Sequence, residues 1–267
     1  MTSKTPQASD GTSYRLTGPV DAPVVVFIHG LGLCQGVFAD MLPAFADYRV
    51  LTYDLFGHGQ SAPLLGGDAS LGVYADQLAQ LLTHIGCAQA HVVGFSIGGM
   101  INRRFALDYP SKTASLIILN APHDRGPFAQ HAVEARAKSV RDQGAFSTFD
   151  AALARWFTPS YLVDGTGPQL VRAWRERVDA ESYAQAAWVL AHGVVELTGR
   201  DGDITAPALV VTCENDSGST PSMPRAIAAD ITGAQTVIVP NLRHLGLMEA
   251  PDVFATLVID FLKGLDK

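Results

Sequence analysis

One short stretch puts a potential nucleophile where chemistry is feasible. Gly94-Phe95-Ser96-Ile97-Gly98 closes the apolar run AHVVGFS and opens a helix-like segment. A glycine-rich turn between strand and helix serves one of two purposes: its N–H groups cradle a phosphate, or it presents a serine hydroxyl. A phosphate loop needs Gly-x-x-x-x-Gly-Lys-Ser/Thr, and no lysine follows Gly99. The Gly-x-Gly-x-x-Gly turn of a dinucleotide site is also absent. What remains is Gly-x-Ser-x-Gly, a sharp turn that lifts Ser96 Oγ above a sheet, with the positive end of the following helix aimed at the same point.

A serine at its ordinary pKa is a poor nucleophile. It needs a base, and the base needs an orienting carboxylate. Asp216 lies just past the apolar run ALVVTCEN, and His244 just past QTVIVPN. Both fall at the C-terminal ends of expected strands, where sites on open α/β sheets gather. The substitutes are weaker. Glu214, two residues before Asp216, is expected to point elsewhere, and Asp124, just past an earlier strand, is the best substitute acid. His29 and His58 sit in glycine-flanked turns and are expected to orient loops. His84 and His91 read as structural or surface residues; His123 and His192, close to or within the segment 123–204, could touch substrate, with packing as the stronger reading. Acyl transfer also needs two oxyanion donors, and the candidates are the backbone N–H of Ile97 and that of Leu31, after PVVVFIHG.

The elements that must hold these residues are legible as short Val/Ile-rich runs at 23–30, 49–55, 90–96, 115–122, 208–215 and 235–241. Runs without polar alternation belong to strands buried on both faces. Helical spacing is predicted over 70–86, with Ser70 as cap and Gly86 as stop, over 97–109 before Pro110, and over about 251–264. The class is therefore α/β, a mostly parallel central sheet flanked by helices, with SYRLTG (13–18) as an antiparallel edge. Between 123 and 204 the alternation stops and the sequence is helical throughout. This segment is expected to be a cap inserted into a core formed by 1–122 and 205–267. It holds all three tryptophans, Trp156, Trp174 and Trp188, natural lining for a closed apolar pocket.

The composition narrows the function classes. The chain has 267 residues, 48% hydrophobic and 17% charged, with a net charge of −7. That balance argues for a large core and against nucleic acid or an anionic membrane surface. The N-terminal segment lacks the apolar run of a secretory signal, and no stretch reaches a membrane span. Cys34, Cys87 and Cys213 form neither a disulfide framework nor a zinc pattern, so reduced thiols in a cytoplasmic chain are expected, with Cys213 in a packing role. The expected partner is a small molecule. No cofactor or metal is required, and a homo-oligomer is left open.

HGLG (29–32), YDLFGHGQS (53–61), GFSIGG (94–99), the acid of CEND and the histidine of RHLGLMEAP together resemble the α/β-hydrolase superfamily, from about residue 13 to the end. In that superfamily the order is serine, acid, histidine, as here. The stretches ARWFTPSY (154–161) and SYAQAAWVL (182–190) are similar to the cap of 3-oxoadipate enol-lactonases, which open a small carboxylated enol-lactone. The resemblance implies a serine hydrolase of small esters or lactones, possessing an α/β-hydrolase fold. It places Arg155 and Trp156 near a substrate that carries a carboxylate, and it gives Glu249 the task of supporting the histidine loop. Phe95 and Trp188 are further pocket candidates. The chain departs from the enol-lactonase pattern at His29-Gly30, Phe56, Cys213 and Arg243. Arg243, beside His244, is a candidate for the substrate carboxylate or a solvent-facing side chain. Hydrolases of C–C bonds in ring-cleavage products, small-amide hydrolases and perhydrolases share the same three residues, and a non-enzymatic small-molecule sensor is a further reading. Dehalogenases and epoxide hydrolases of this fold carry aspartate at the nucleophile, so Ser96 argues strongly against both.

Overall fold

The computed structural model describes residues 5–200 and 202–265. Its seven strands are β1 (Tyr14–Thr17), β2 (Val24–Ile28), β3 (Arg49–Tyr53), β4 (Ala90–Phe95), β5 (Thr113–Leu119), β6 (Ala208–Cys213) and β7 (Gln235–Val239). They lie in the order β1-β3-β2-β4-β5-β6-β7, with β1 antiparallel to β3 and the other pairs parallel.

The unbroken apolar runs arise because alternate residues serve two cores. Val26, Ile28, Val92, Leu116, Ile118 and Val210 pack on one face of the sheet. Val25, Phe27, Val93, Phe95, Ile117, Leu119 and Val211 pack on the other. Each such side chain contributes about 1.5–3 kcal/mol by leaving water. Every parallel strand ends one to three residues before its apolar run does. The residues left over turn out of the sheet; Ser96 is one of them, and Asp216 and His244 follow shortly after two such ends.

Helix α1 (Leu71–His84) starts where Ser70 accepts the Val73 N–H and stops before Gly86 at φ 70. Helix α2 (Ile97–Asp108) follows β4 directly and ends before Pro110. Five helices stand between β5 and β6: α3 (Gly126–Gln143), α4 (Phe149–Trp156), α5 (Pro159–Asp164), α6 (Gly167–Arg175) and α7 (Ala180–His192). A small core of Ala137, Val140, Tyr183, Ala184, Ala187 and Ala191 joins α3 to α7. The chain ends with α8 (Ser222–Asp230), α9 (Gly246–Glu249) and α10 (Pro251–Leu265), the last burying Phe254, Val258, Phe261 and Leu262. Among the described residues no helix is long and apolar enough to cross a membrane.

Two buried histidines brace the loops after β2 and β3. His29 Nδ1–H donates to the Gly30 carbonyl at 2.8 Å, and its Nε2 accepts the Leu55 N–H at 3.0 Å. His58 donates to the Phe56 carbonyl at 3.0 Å, with the two rings 5.3 Å apart. Burial lowers His29 to about 4 and His58 to about 3, the latter with a further push from His29. Unfolded, both titrate near ~6.5. As the pH falls from there, the unfolded chain takes up protons that the folded chain refuses, so stability is lost on acidification. Urea unfolding between about pH 6.5 and 5 should show a slope approaching two protons, and His58→Gln should remove about one. A slope unchanged in that variant would mean His58 is not held neutral.

Candidate active site

The turn after β4 is fixed by crowding. Ser96 has φ 58 and ψ −116, a left-handed conformation that a serine avoids. A Cβ on Gly94 would meet the Gly98 carbonyl oxygen at 2.1 Å, and one on Gly98 would meet the Ile28 carbonyl oxygen at 2.3 Å. The glycines of Gly-x-Ser-x-Gly are therefore required by backbone contact, between strand and helix at Gly94 and between helix and neighbouring strand at Gly98. The Ser96 N–H also bonds to the Leu119 carbonyl at 2.9 Å. Ile97 begins α2, so its N–H belongs to the first turn, which has no intrahelical acceptor. Leu31 lies in a turn closed by Leu33 N–H to Gly30 O at 3.2 Å, with Gly32 at φ 70. Among the described residues no acceptor takes the Leu31 N–H.

Ser96, His244 and Asp216 come together from three strand ends. His244 Nε2 lies 3.1 Å from Ser96 Oγ, and its Nδ1 lies 2.7 Å from Asp216 Oδ2. Asp216 Oδ2 also accepts from Asn120 Nδ2 at 2.9 Å, while Oδ1 accepts the N–H groups of Gly218 and Ser219 at 2.8 and 2.9 Å. Burial opposes ionisation of Asp216, but the charge and hydrogen bond of His244, with the bonds from Asn120 and Ser219, outweigh it and hold the carboxyl below the usual carboxylate range. An ionised Asp216 fixes the tautomer: Nδ1 carries the proton, and Nε2 is free to accept from the serine hydroxyl. The substitute acids are occupied elsewhere. Glu214 accepts the Asn241 N–H, and Asp124 is exposed and accepts the Gly126 N–H. Cys213 is a packing residue, with burial pushing its thiol up to about 12.

Above Ser96 is a cavity of ≈ 140 Å³. Gly30, Leu31, Phe95, Asp216 and His244 line it from the strand ends, and Arg125, Arg136, Arg155, Trp156 and Tyr183 from the inserted helices. The Phe95 and Trp156 ring centroids lie 5.1 and 6.3 Å from that of His244. Phe95, Arg155 and Trp156 lie in the cavity wall. The expectations for Trp188 and Arg243 are corrected. Trp188 is 56% exposed and stacks on His192, because Tyr183, Ala187 and Leu190 present the cavity-facing side of α7 and Trp188 falls about 100° round from Ala187. Arg243 turns away from the cavity and donates to the carbonyls of Ala154 and Phe157 at the C-terminal end of α4, where a cation offsets the helix dipole.

That contact is one of several lacing the His244 loop to the insertion. Leu245 N–H donates to the Trp156 carbonyl at 2.9 Å, and Tyr161 OH to the Met248 carbonyl at 3.0 Å. Glu249 accepts the N–H and the hydroxyl of Thr158, so it supports the loop through the insertion. On the core side, Asn215 N–H donates to the Leu242 carbonyl at 3.0 Å. Sequence reasoning missed Asn120, whose signal is a polar residue at the C-terminal end of β5. It also missed Arg125 and Arg136, for which no local pattern exists.

A family model for the alpha/beta hydrolase fold matches residues 23–162, more than half of the chain, and the chain belongs to that family. It is 29% identical to a (E)-2-((N-methylformamido)methylene)succinate hydrolase of Acinetobacter baylyi, over 94% of this chain and 95% of that one. It is 28% identical to 3-oxoadipate enol-lactonase 2 of the same organism, over 91% and 89%. The crystal structure of an enol-lactonase from Burkholderia xenovorans superposes with a TM-score of 0.85 at 27% identity, covering 97% of this chain and all of that one. The chain is a hydrolase.

Asn120 already sits at φ 48, so Asn120→Gly removes the amide without straining the backbone. Losing a hydrogen bond to a charged group should lower kcat about tenfold with KM little changed. An unchanged kcat would reduce Asn120 to packing.

Proposed function

We propose that the chain is a serine hydrolase that opens a small carboxylic ester or lactone, with enol-lactone-like compounds as the first substrates to try. The observation carrying this reading is the relay Ser96–His244–Asp216, at 3.1 and 2.7 Å, facing a cavity of ≈ 140 Å³. Ser96 Oγ attacks the carbonyl while His244 Nε2 takes its proton. The tetrahedral oxyanion is held by the N–H groups of Leu31 and Ile97, each contributing about 3 kcal/mol. His244 returns the proton to the leaving oxygen, and Asp216 stabilises the imidazolium in between. Water, activated by the same imidazole, then releases the acid from Ser96.

The cavity supports a small substrate, since ~150 Å³ is the space that benzene fills. The inserted helices act as the cap that excludes water, and Arg155 in their wall supports a carboxylate on the substrate. A second reading, hydrolysis of a small amide, is favoured by the relative named for an N-methylformamido compound. Three free cysteines fit a reducing compartment, and we place the chain in the cytoplasm.

Ser96→Ala should lower turnover on the order of 10⁵–10⁶-fold and abolish covalent labelling by a fluorophosphonate probe. Labelling that persists in this variant would overturn the assignment. A panel of enol-lactones, aryl esters and small amides separates the two readings by relative kcat/KM.

A further inference from the structure

The cavity wall holds more positive charge than the relay uses. Arg136 on α3 and Arg155 in the last turn of α4 both line it, and both are half-buried. Among the described residues neither guanidinium has a hydrogen bond, an ion pair or an aromatic ring beneath it. The third arginine of the wall differs. Arg125 donates to the Leu190 carbonyl at 2.9 Å and to Gln130 at 3.3 Å, so its donors are engaged. Among the described residues of the wall the one carboxylate, Asp216, has both oxygens occupied by His244, Asn120, Gly218 and Ser219.

Burial works against the charge of both free guanidiniums, and Arg155 adds its repulsion at Arg136. Two like charges partly withdrawn from water in one cavity wall, with no counter-ion, are unfavourable unless a ligand supplies the anions. A single carboxylate would satisfy one and leave the other desolvated and unpaired once the ligand displaces water.

We propose that Arg136 and Arg155 form a dianion subsite, so the substrate carries two free carboxylates in addition to the acyl group that Ser96 attacks. The choice of substrate rests on the serine-hydrolase reading, whereas the subsite itself does not. Arg155, which lines the same cavity as His244, takes the carboxylate nearer the scissile bond. Arg136, on α3, takes the distal one. Guanidinium forks suit this, since each engages a carboxylate through two parallel N–H groups. The cavity volume limits the spacer between the two carboxylates to a few carbons.

The test uses the unmodified chain and two unreactive acids of similar length, glutarate with two carboxylates and butyrate with one. By calorimetry at low ionic strength, glutarate should bind at least about tenfold more tightly. Arg136→Gln and Arg155→Gln should each weaken glutarate about tenfold or more, and Arg136→Gln should weaken butyrate by less than about threefold. Arg136→Lys, which keeps the charge but not the fork, should fall between. Should the glutamine variants fail to fold, the wild-type preference for glutarate over butyrate and its loss at high salt still decide the matter. Equal affinity for the two acids, or a preference that survives Arg136→Gln, would overturn the proposal. Failure here with Ser96 still labelled by the fluorophosphonate leaves the hydrolase reading standing. Glutarate binding without any labelling leaves the subsite standing and removes the hydrolase reading.

Discussion

Serine does not hold the backbone conformation of Ser96 unaided. Such a residue costs on the order of 1–3 kcal/mol and persists only where its surroundings over-determine it. Here three strands supply the restraint. The Ile28 carbonyl at the end of β2 leaves no room for a side chain at Gly98, and the Leu119 carbonyl at the end of β5 holds the Ser96 N–H. The strand bearing the serine lies between these two. The doubly buried sheet is thus the spring support of the turn: the apolar runs fix strand positions, strand positions fix the turn, and the turn points Oγ at His244.

The other half of the relay is held differently. Asp216 lies in a nest of donors contributed by β5 and the loop after β6, which keeps it charged although it is buried. The His244 loop has fewer ties to the sheet and many to the inserted helices. The imidazole therefore stands where two bodies of the chain meet, with one nitrogen directed to each of its partners.

Most of the frame was legible in the sequence because its causes are local. Gly94 and Gly98 are glycines for steric reasons that operate within a few residues of the turn, and the strand runs are apolar because both faces are covered. Asp216 and His244 could be found because each follows such a run directly. The failures share one cause. Arg243 reads as a free cation beside the histidine until α4 is placed against it, and its acceptors lie 86 and 89 residues away. Trp188 reads as pocket lining because composition shows that a helix is aromatic but not which side it turns inward. Arg136 had no signal at all: α3 buries only Ala137 and Val140, too shallow a stripe to fix the helix's rotation from its pattern.

The lacing of residues 154–161 to the loop 243–249 has a consequence for how such chains diversify. An inserted helical segment is commonly regarded as an exchangeable accessory to an unchanging catalytic core. In this chain the accessory holds part of the frame of His244, through Ala154, Trp156, Phe157 and Thr158. The helices between β5 and β6 and the short C-terminal loop therefore form one discontinuous structural unit. A graft that moves the helices alone transfers a pocket and leaves the His244 loop without part of its support.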